Sequence, residues 1–589
     1  MPPLSPHLRA WMALATVWAF ALQAGAADVT LSVGSTPSTL KPLLSVNAGP
    51  TPPNNTGGPD YTLPYQRMGV QMVRTHDFFG PLDMPTMYPD RSKDPALQSS
   101  YNFTTPAPSP GSPSGNPTIS SDAAFRAIQA GNFGVYFRLG DSAGNIKSPS
   151  DAERANWVKA AVNVLKHYSQ GQWNGFTTTI NYVEIGNEPD STGFWTGTPT
   201  QFYQLYVDTA KAIRAEFPTI KIGGPGVTQT GFLQPAGQTW VSNFLATVKA
   251  QGAPLDFFSW HLYSNDPAAF TQGAAYYRDL LNRNGFTATE SHITEWNNEG
   301  SGTSAATNAE YRSKAKGAAI TTAAWVGLNE SAVDRAFFYD SADMRPDDSK
   351  QYGMFTSAGD PKPAALAFSL WGDMSRYGSR LPVTLSGSGA SAIKAMAAKR
   401  ADGALAILIA NTGTTTLKWA ASLADGSTLQ SYQKTLKTLS DASPMLSYNT
   451  APATEIDLAP GTVQMLLLHT GGQSFDVAAK AFGKLSHHYA SLEVPIAAAD
   501  RGLTRNFYTA ANVGGLWFFY SGGNWVPWTG GAMPATSTGP LPGLMPLPVV
   551  SGLNLSAAPG ASIYVGYGSS ETEMLSAGRY KLAYTLPAQ

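Results

Sequence analysis

Along residues 28–375 the chain alternates between two kinds of apolar spacing. Short strand-like apolar runs occupy 69–74, 134–139, 182–185, 220–224, 256–260, 292–295 and 336–339. Between them lie 122–130, 151–168, 199–217, 240–250 and 305–327, which read as helices. Strands alternating with helices predict βα units and a parallel sheet, because parallel neighbours need a crossover connection. About eight such units in roughly 350 residues fit a (β/α)8 TIM barrel with insertions, assigned here to 27–375. A doubly wound open sheet is the alternative. That fold usually announces itself by a glycine-rich phosphate loop after its first strand, and no such loop is found.

Beyond residue 375 the helical spacing stops. Runs at 404–409 and 463–468 read as strands separated by turns, which predicts a β-sandwich accessory domain over 376–472. Residues 470–474 (TGGQS) form a linker, and 475–589 read as a further all-β domain. This last stretch carries Trp517, Phe518, Phe519, Tyr520, Trp525 and Trp528. Such a cluster either builds a small core or offers ring faces to the C–H groups of a sugar, which makes the domain a candidate carbohydrate-binding unit. The Pro/Ser/Gly tract 104–118 is a solvated loop or a rim beside a site.

Composition narrows the class. At 589 residues the chain is long enough for two or three domains. Charged residues make up 13%, against a usual value of roughly 25%, so the surface draws its polarity from uncharged side chains. A net charge of −1 supplies no basic stripe for nucleic acid. With no cysteine, disulfides and thiolate metal sites are excluded. The first 26 residues read as a secretory signal: His7 and Arg9, an apolar run over 10–22, then Ala24, Gly25 and Ala26 at the cleavage positions. The run is short beside the about 20 residues that span a bilayer, which favours cleavage over a membrane anchor. The expectation is a secreted or periplasmic bacterial protein with no stable membrane insertion.

Two segments carry chemistry. In 181–190 (NYVEIGNEPD) a strand runs into a proline-broken loop. Alternation puts Val183 and Ile185 on one face and Tyr182, Glu184, Gly186 and Glu188 on the other, with Glu188 last at the C-terminal mouth, where barrel enzymes keep their reactive groups. In 291–297 (SHITEWN) a second strand ends in Glu295. Two carboxylates on different strand ends can meet across a barrel mouth, and glycosidic cleavage needs such a pair.

With Arg74-Thr-His76, Tyr101-Asn-Phe103, His167-Tyr168, Glu184-Ile-Gly-Asn-Glu-Pro189, 222–225 (IGGP), 256–263 (DFFSWHLY), Ile293-Thr-Glu-Trp296 and Lys362-Pro363 in this order, the chain resembles glycoside hydrolase family 39, the β-xylosidases and α-L-iduronidases of the retaining (β/α)8 clan. The resemblance implies Glu188 as general acid/base and Glu295 as nucleophile. It implies that Asn187 bonds the sugar 2-hydroxyl, that Arg74 and His76 lie near nucleophile and sugar, and that His261 and Tyr263 support the nucleophile. Trp296 is a sugar platform or barrel packing. Arg74 is equally expected as the ion-pair partner of Glu184, and His261 as a satisfied core histidine. Two departures alter the sugar pocket. Gly186 stands where the family has Trp, and 337–340 (FFYD), with Tyr339, stands where the last strand carries a Trp.

The implied reaction is double displacement on an oligo- or polysaccharide, β-xyloside-like or a bacterial exopolysaccharide, with carboxyl groups about 5–5.5 Å apart. It calls for no cofactor and no metal. The rival reading is a non-catalytic polysaccharide-binding or adhesion protein built on the same barrel.

Overall fold

A computed structural model describes residues 27–50, 60–76, 80–107, 119–142, 148–298, 310–343, 351–424 and 426–588. The signal reading of 1–26 and most of the 104–118 tract lie outside these residues.

Eight parallel strands close a barrel: Ser45–Asn47, Met72–Arg74, Gly134–Leu139, Tyr182–Ile185, Lys221–Val227, Phe257–Tyr263, Glu290–Asn297 and Arg335–Phe338. The first has only three residues, too few for a period to show. The helices start on recognisable signals. Ser150 and Glu153 form a capping box at Asp151–Gln170, and Thr198 and Gln201 another at Pro199–Glu216. The helix expected from residue 240 begins at Pro235, because proline's fixed φ and missing N–H suit a first turn.

Side-chain parity sorts the barrel into layers. Val183, Ile185, Ile293 and Trp296 face outward into the helix-packed core. Met72, Tyr136, Tyr182, Phe257 and Phe337 fill the lower interior. Above them sits a buried polar layer that includes Asn47, Arg74, Glu184, His261 and Glu295.

The sandwich differs from its expected bounds. Val29–Val33, read as part of the 27–375 unit, pairs with Val383–Ser386 and lies parallel to Leu417–Leu423. Ser38–Thr39 likewise joins Ser379–Leu381. The chain thus gives two strands to the sandwich before entering the barrel, and Val29, Leu31 and Val33 are buried in the sandwich core with Trp419 and Ile407. The C-terminal region forms a three-stranded sheet and a larger antiparallel sheet around its own core. Among the described residues no helix is long and apolar enough to cross a membrane.

Candidate active site

Two irregularities in the barrel aim the site. Between the sixth and seventh strands Trp260 pairs with Ile293 but His261 with Glu295, leaving Thr294 as an extra residue. The eighth strand sees the same shift, with Ala336 opposite Ile293 and Phe338 opposite Trp296. Strict alternation from His292, which points inward, would turn Glu295 outward. The bulge resets the parity and brings it in. Gly226 is the extra residue between the fifth and sixth strands. It sits at φ +65, donates to Ser259 Oγ at 2.8 Å, and accepts from the Glu188 N–H at 2.8 Å.

Glu188 lies beyond the fourth strand rather than on it. The strand ends at Ile185, Gly186 takes φ +104, and Glu188 itself φ +49. A left-handed non-glycine residue is uncommon and strained. The loop holds it there: the Ser191 N–H donates to the Glu188 carbonyl, while Asp190 accepts from Thr228 and Thr230. Gly186 has its own reason to replace a Trp. Besides the positive φ, a Cβ there would meet the Phe202 ring at 2.8 Å.

The carboxylates are unequal. Glu295 is buried, 6% exposed at the side chain, and surrounded by donors. Arg74 Nη1 donates to Oε1 at 2.8 Å and the Tyr263 hydroxyl to Oε2 at 2.7 Å. His76 Nε2 lies 3.1 Å from Oε1. Glu188 is more open, at 18%, and takes His261 Nδ1 at 2.9 Å. That nitrogen is also 3.6 Å from Glu295 Oε2. One oxygen of each carboxylate and one nitrogen of His261 fall within 4.8 Å of one another. Such a trio can hold a cation, but the Arg74 guanidinium already supplies positive charge there.

Arg74 is the ion-pair partner expected for Glu184, and it also reaches Glu295. Its Nε donates to Glu184 Oε2 at 2.6 Å, and its other nitrogens reach Glu295, Asn187 Oδ1 (2.8 Å) and Asn47 Oδ1 (3.0 Å). Burial opposes its charge, yet Glu184 and Glu295 outweigh burial and raise its pKa. In return Arg74 keeps Glu184 ionised against the same penalty, with its pKa lowered. Burial pushes the pKa of His76 well below the ordinary histidine value, assisted by Arg74, and that of His261 also below it. Both rings are therefore neutral at neutral pH. Burial and then Glu295 push the Tyr263 phenol well up, so it stays a donor.

Of the residues singled out in the sequence, Arg74, His76, Asn187, Glu188, His261, Tyr263 and Glu295 meet at the mouth. Tyr339 borders them, its ring 5.6 Å from His76 and 6.1 Å from Tyr263. Trp296 does not join them, which corrects its reading as a sugar platform. Next to an inward Glu295 it must face outward, where it stacks on Trp371 at 5.7 Å with no exposed surface. Three contributors went unread. Asn47 sits on the three-residue first strand, and Gly226 looks like any loop glycine. Tyr352, 5.3 Å from both Tyr263 and Tyr339, lies outside any strand pattern.

A closed parallel barrel with two glutamates at its C-terminal mouth, one braced by arginine, tyrosine and histidine, defines the glycoside hydrolase type of barrel. Residues 60–320, which hold the second to seventh barrel strands, match the family model Glycosyl hydrolases family 39. A β-xylosidase of Geobacillus stearothermophilus is 24% identical over 223 residues, 37% of this chain and 41% of the relative. The match thus spans about two fifths of that protein. A funoran endo-beta-hydrolase of Wenyingzhuangia aestuarii is 30% identical over 117 residues, 18% of this chain and 16% of the relative. The crystal structure of a glucosidase from Croceicoccus marinus superposes with a TM-score of 0.60 at 22% identity, covering 75% of this chain and 99% of that one.

Proposed function

We propose that the protein is a secreted retaining glycoside hydrolase acting by double displacement on a β-xyloside-like oligosaccharide or a bacterial exopolysaccharide. The observation that carries this reading is the close, unequal pair of carboxylates. Glu295, held by three donors, is suited to attack the anomeric carbon. Glu188, more open and touched by a neutral histidine, is suited to protonate the leaving oxygen and then, once ionised, to activate water. Support for retention comes from spacing: oxygens within 4.8 Å of each other leave little room for the water of an inverting site, whose carboxyls stand roughly 6.5–9.5 Å apart. Asn187, fixed by Arg74, is placed to meet a sugar hydroxyl.

The test is a screen of purified protein on aryl glycosides and bacterial polysaccharides, with product anomers followed by NMR. Glu188→Gln and Glu295→Gln are expected to lose activity by at least a thousand-fold, and the first product to keep the substrate's anomeric configuration. Full activity in either variant, or an inverted product, would sink the assignment. Endo action on a polysaccharide is a second reading, favoured by the likeness to the funoran endo-hydrolase.

A further inference from the structure

Strand parity divides the C-terminal aromatic cluster in two. Phe518, Tyr520 and Trp525 pack against the domain core. Trp517, Phe519 and Trp528 point the other way, with Trp517 directly opposite Trp528 across the strand pair. The outer face of an antiparallel sheet ordinarily carries polar residues at these positions. Here Tyr508 and Tyr564 from the adjoining strands extend the aromatic floor, and the Trp517 and Tyr564 rings lie 5.6 Å apart. Helix Glu571–Ser576 forms a wall, and the open pocket between has a volume of about 410 Å³, within the roughly 300–1,000 Å³ typical of small-ligand sites.

The chemistry of the lining restricts the occupant. Among the described residues it contains no Asp, Glu, Lys or Arg, so nothing there would neutralise a charged ligand. Trp517 is 37% exposed and offers ring surface. The rings of Tyr508, Tyr564 and Tyr580, each apolar with a polar tip, complete the lining. A pyranose offers C–H groups to such faces and hydroxyls to such tips; an acyl chain offers only the first.

We infer that this pocket is a second carbohydrate site, which takes a neutral saccharide with a ring stacked on the exposed face of Trp517 and its edge against Tyr564. The choice of a saccharide over other neutral hydroxylated ligands rests on the reading of the barrel; the pocket itself does not.

The experiment is affinity electrophoresis of the full chain, in the Glu188→Gln background, through native gels containing xylan, mixed-linkage β-glucan or agarose-type galactan. At least one polymer should retard the protein. Trp517→Ala and Trp528→Ala should weaken retardation at least tenfold. Trp528→Phe, which keeps an aromatic face but not the indole, should retain part of the retardation with an unchanged far-UV CD spectrum. With Glu188 restored, hydrolysis of small aryl glycosides should be the same in all three. No retardation by any polymer, retardation unaffected in Trp528→Ala, or tighter binding of decanoate than of the matching hexasaccharide overturns the inference. Tryptophan-dependent retardation without hydrolysis of any substrate would leave the pocket standing and remove the barrel reading.

Discussion

At the residue scale, Arg74 is the side chain on which the site depends. It is fully buried and joins Glu184, Glu295, Asn187 and Asn47 in one hydrogen-bonded set. Replacing it by methionine leaves two buried carboxylates without their cation. Breaking a buried pair in this way costs about 3–5 kcal/mol, so Arg74→Met should unfold at markedly lower denaturant concentration and be inactive; equilibrium unfolding checks this. Tyr263→Phe is gentler. It removes one hydrogen bond to Glu295, and a bond to a charged group is worth about 1.5–3 kcal/mol. If that bond acts in the transition state as well as in the resting protein, kcat should fall roughly ten- to a hundred-fold and the melting temperature by a few degrees. The glutamates and their arginine could be picked out because each lies close to the end of a strand within a recognisable motif. For Trp296 a sugar platform and barrel packing both stayed open, because a motif gives neighbours but not the direction a side chain takes; the structure gives packing.

At the element scale, the two bulges decide where the strands point their last side chains. Neither could be read from alternation, since a bulge is a break in the period that alternation assumes. The fold class, by contrast, was legible from the succession of strand and helix patterns, which needs no single residue to be placed correctly. Gly226 is the more exposed to substitution. An added Cβ would sit 3.1 Å from His261 Nε2 and 3.3 Å from Glu184 Oε1, at a φ of +65 that side chains resist. Gly226→Ala should therefore lose about 1–3 kcal/mol of stability. It should also lose more than tenfold in kcat through displacement of His261, measured against wild type by thermal unfolding and initial rates.

At the scale of the whole molecule, one buried ion cluster ties all three units together. Asp373, on the barrel helix Pro363–Ser375, accepts from Lys437 of the sandwich at 2.7 Å and from Lys480 of the C-terminal region at 2.6 Å. Lys437 also reaches Glu493 at 2.8 Å. Burial opposes the charge of Asp373, but the two lysines outweigh it and lower its pKa. Its contribution is thus present above the usual carboxylate value and lost only as pH falls through the depressed one. His469, bonded to Thr435 and Gln473 near Gly543, behaves otherwise. Burial lowers its pKa to about 4. Between about 6.5 and 4 the unfolded chain takes a proton that the folded one refuses, so stability falls as pH falls through this window. The melting temperature should decline from pH 7 to pH 4, and His469→Gln should flatten part of that slope. A slope unchanged by the substitution would locate the acid sensitivity elsewhere.

The strand Val29–Val33 also sets a timetable. Its parallel partner Leu417–Leu423 lies some 390 residues later, and at about 5–20 residues per second of synthesis it emerges roughly 20–80 s after the first strand. During that interval an apolar strand with unpaired edges must stay open while the whole barrel is made. The sandwich is therefore the last of these two units that can close, and the barrel folds with the opening strand of its neighbour still waiting.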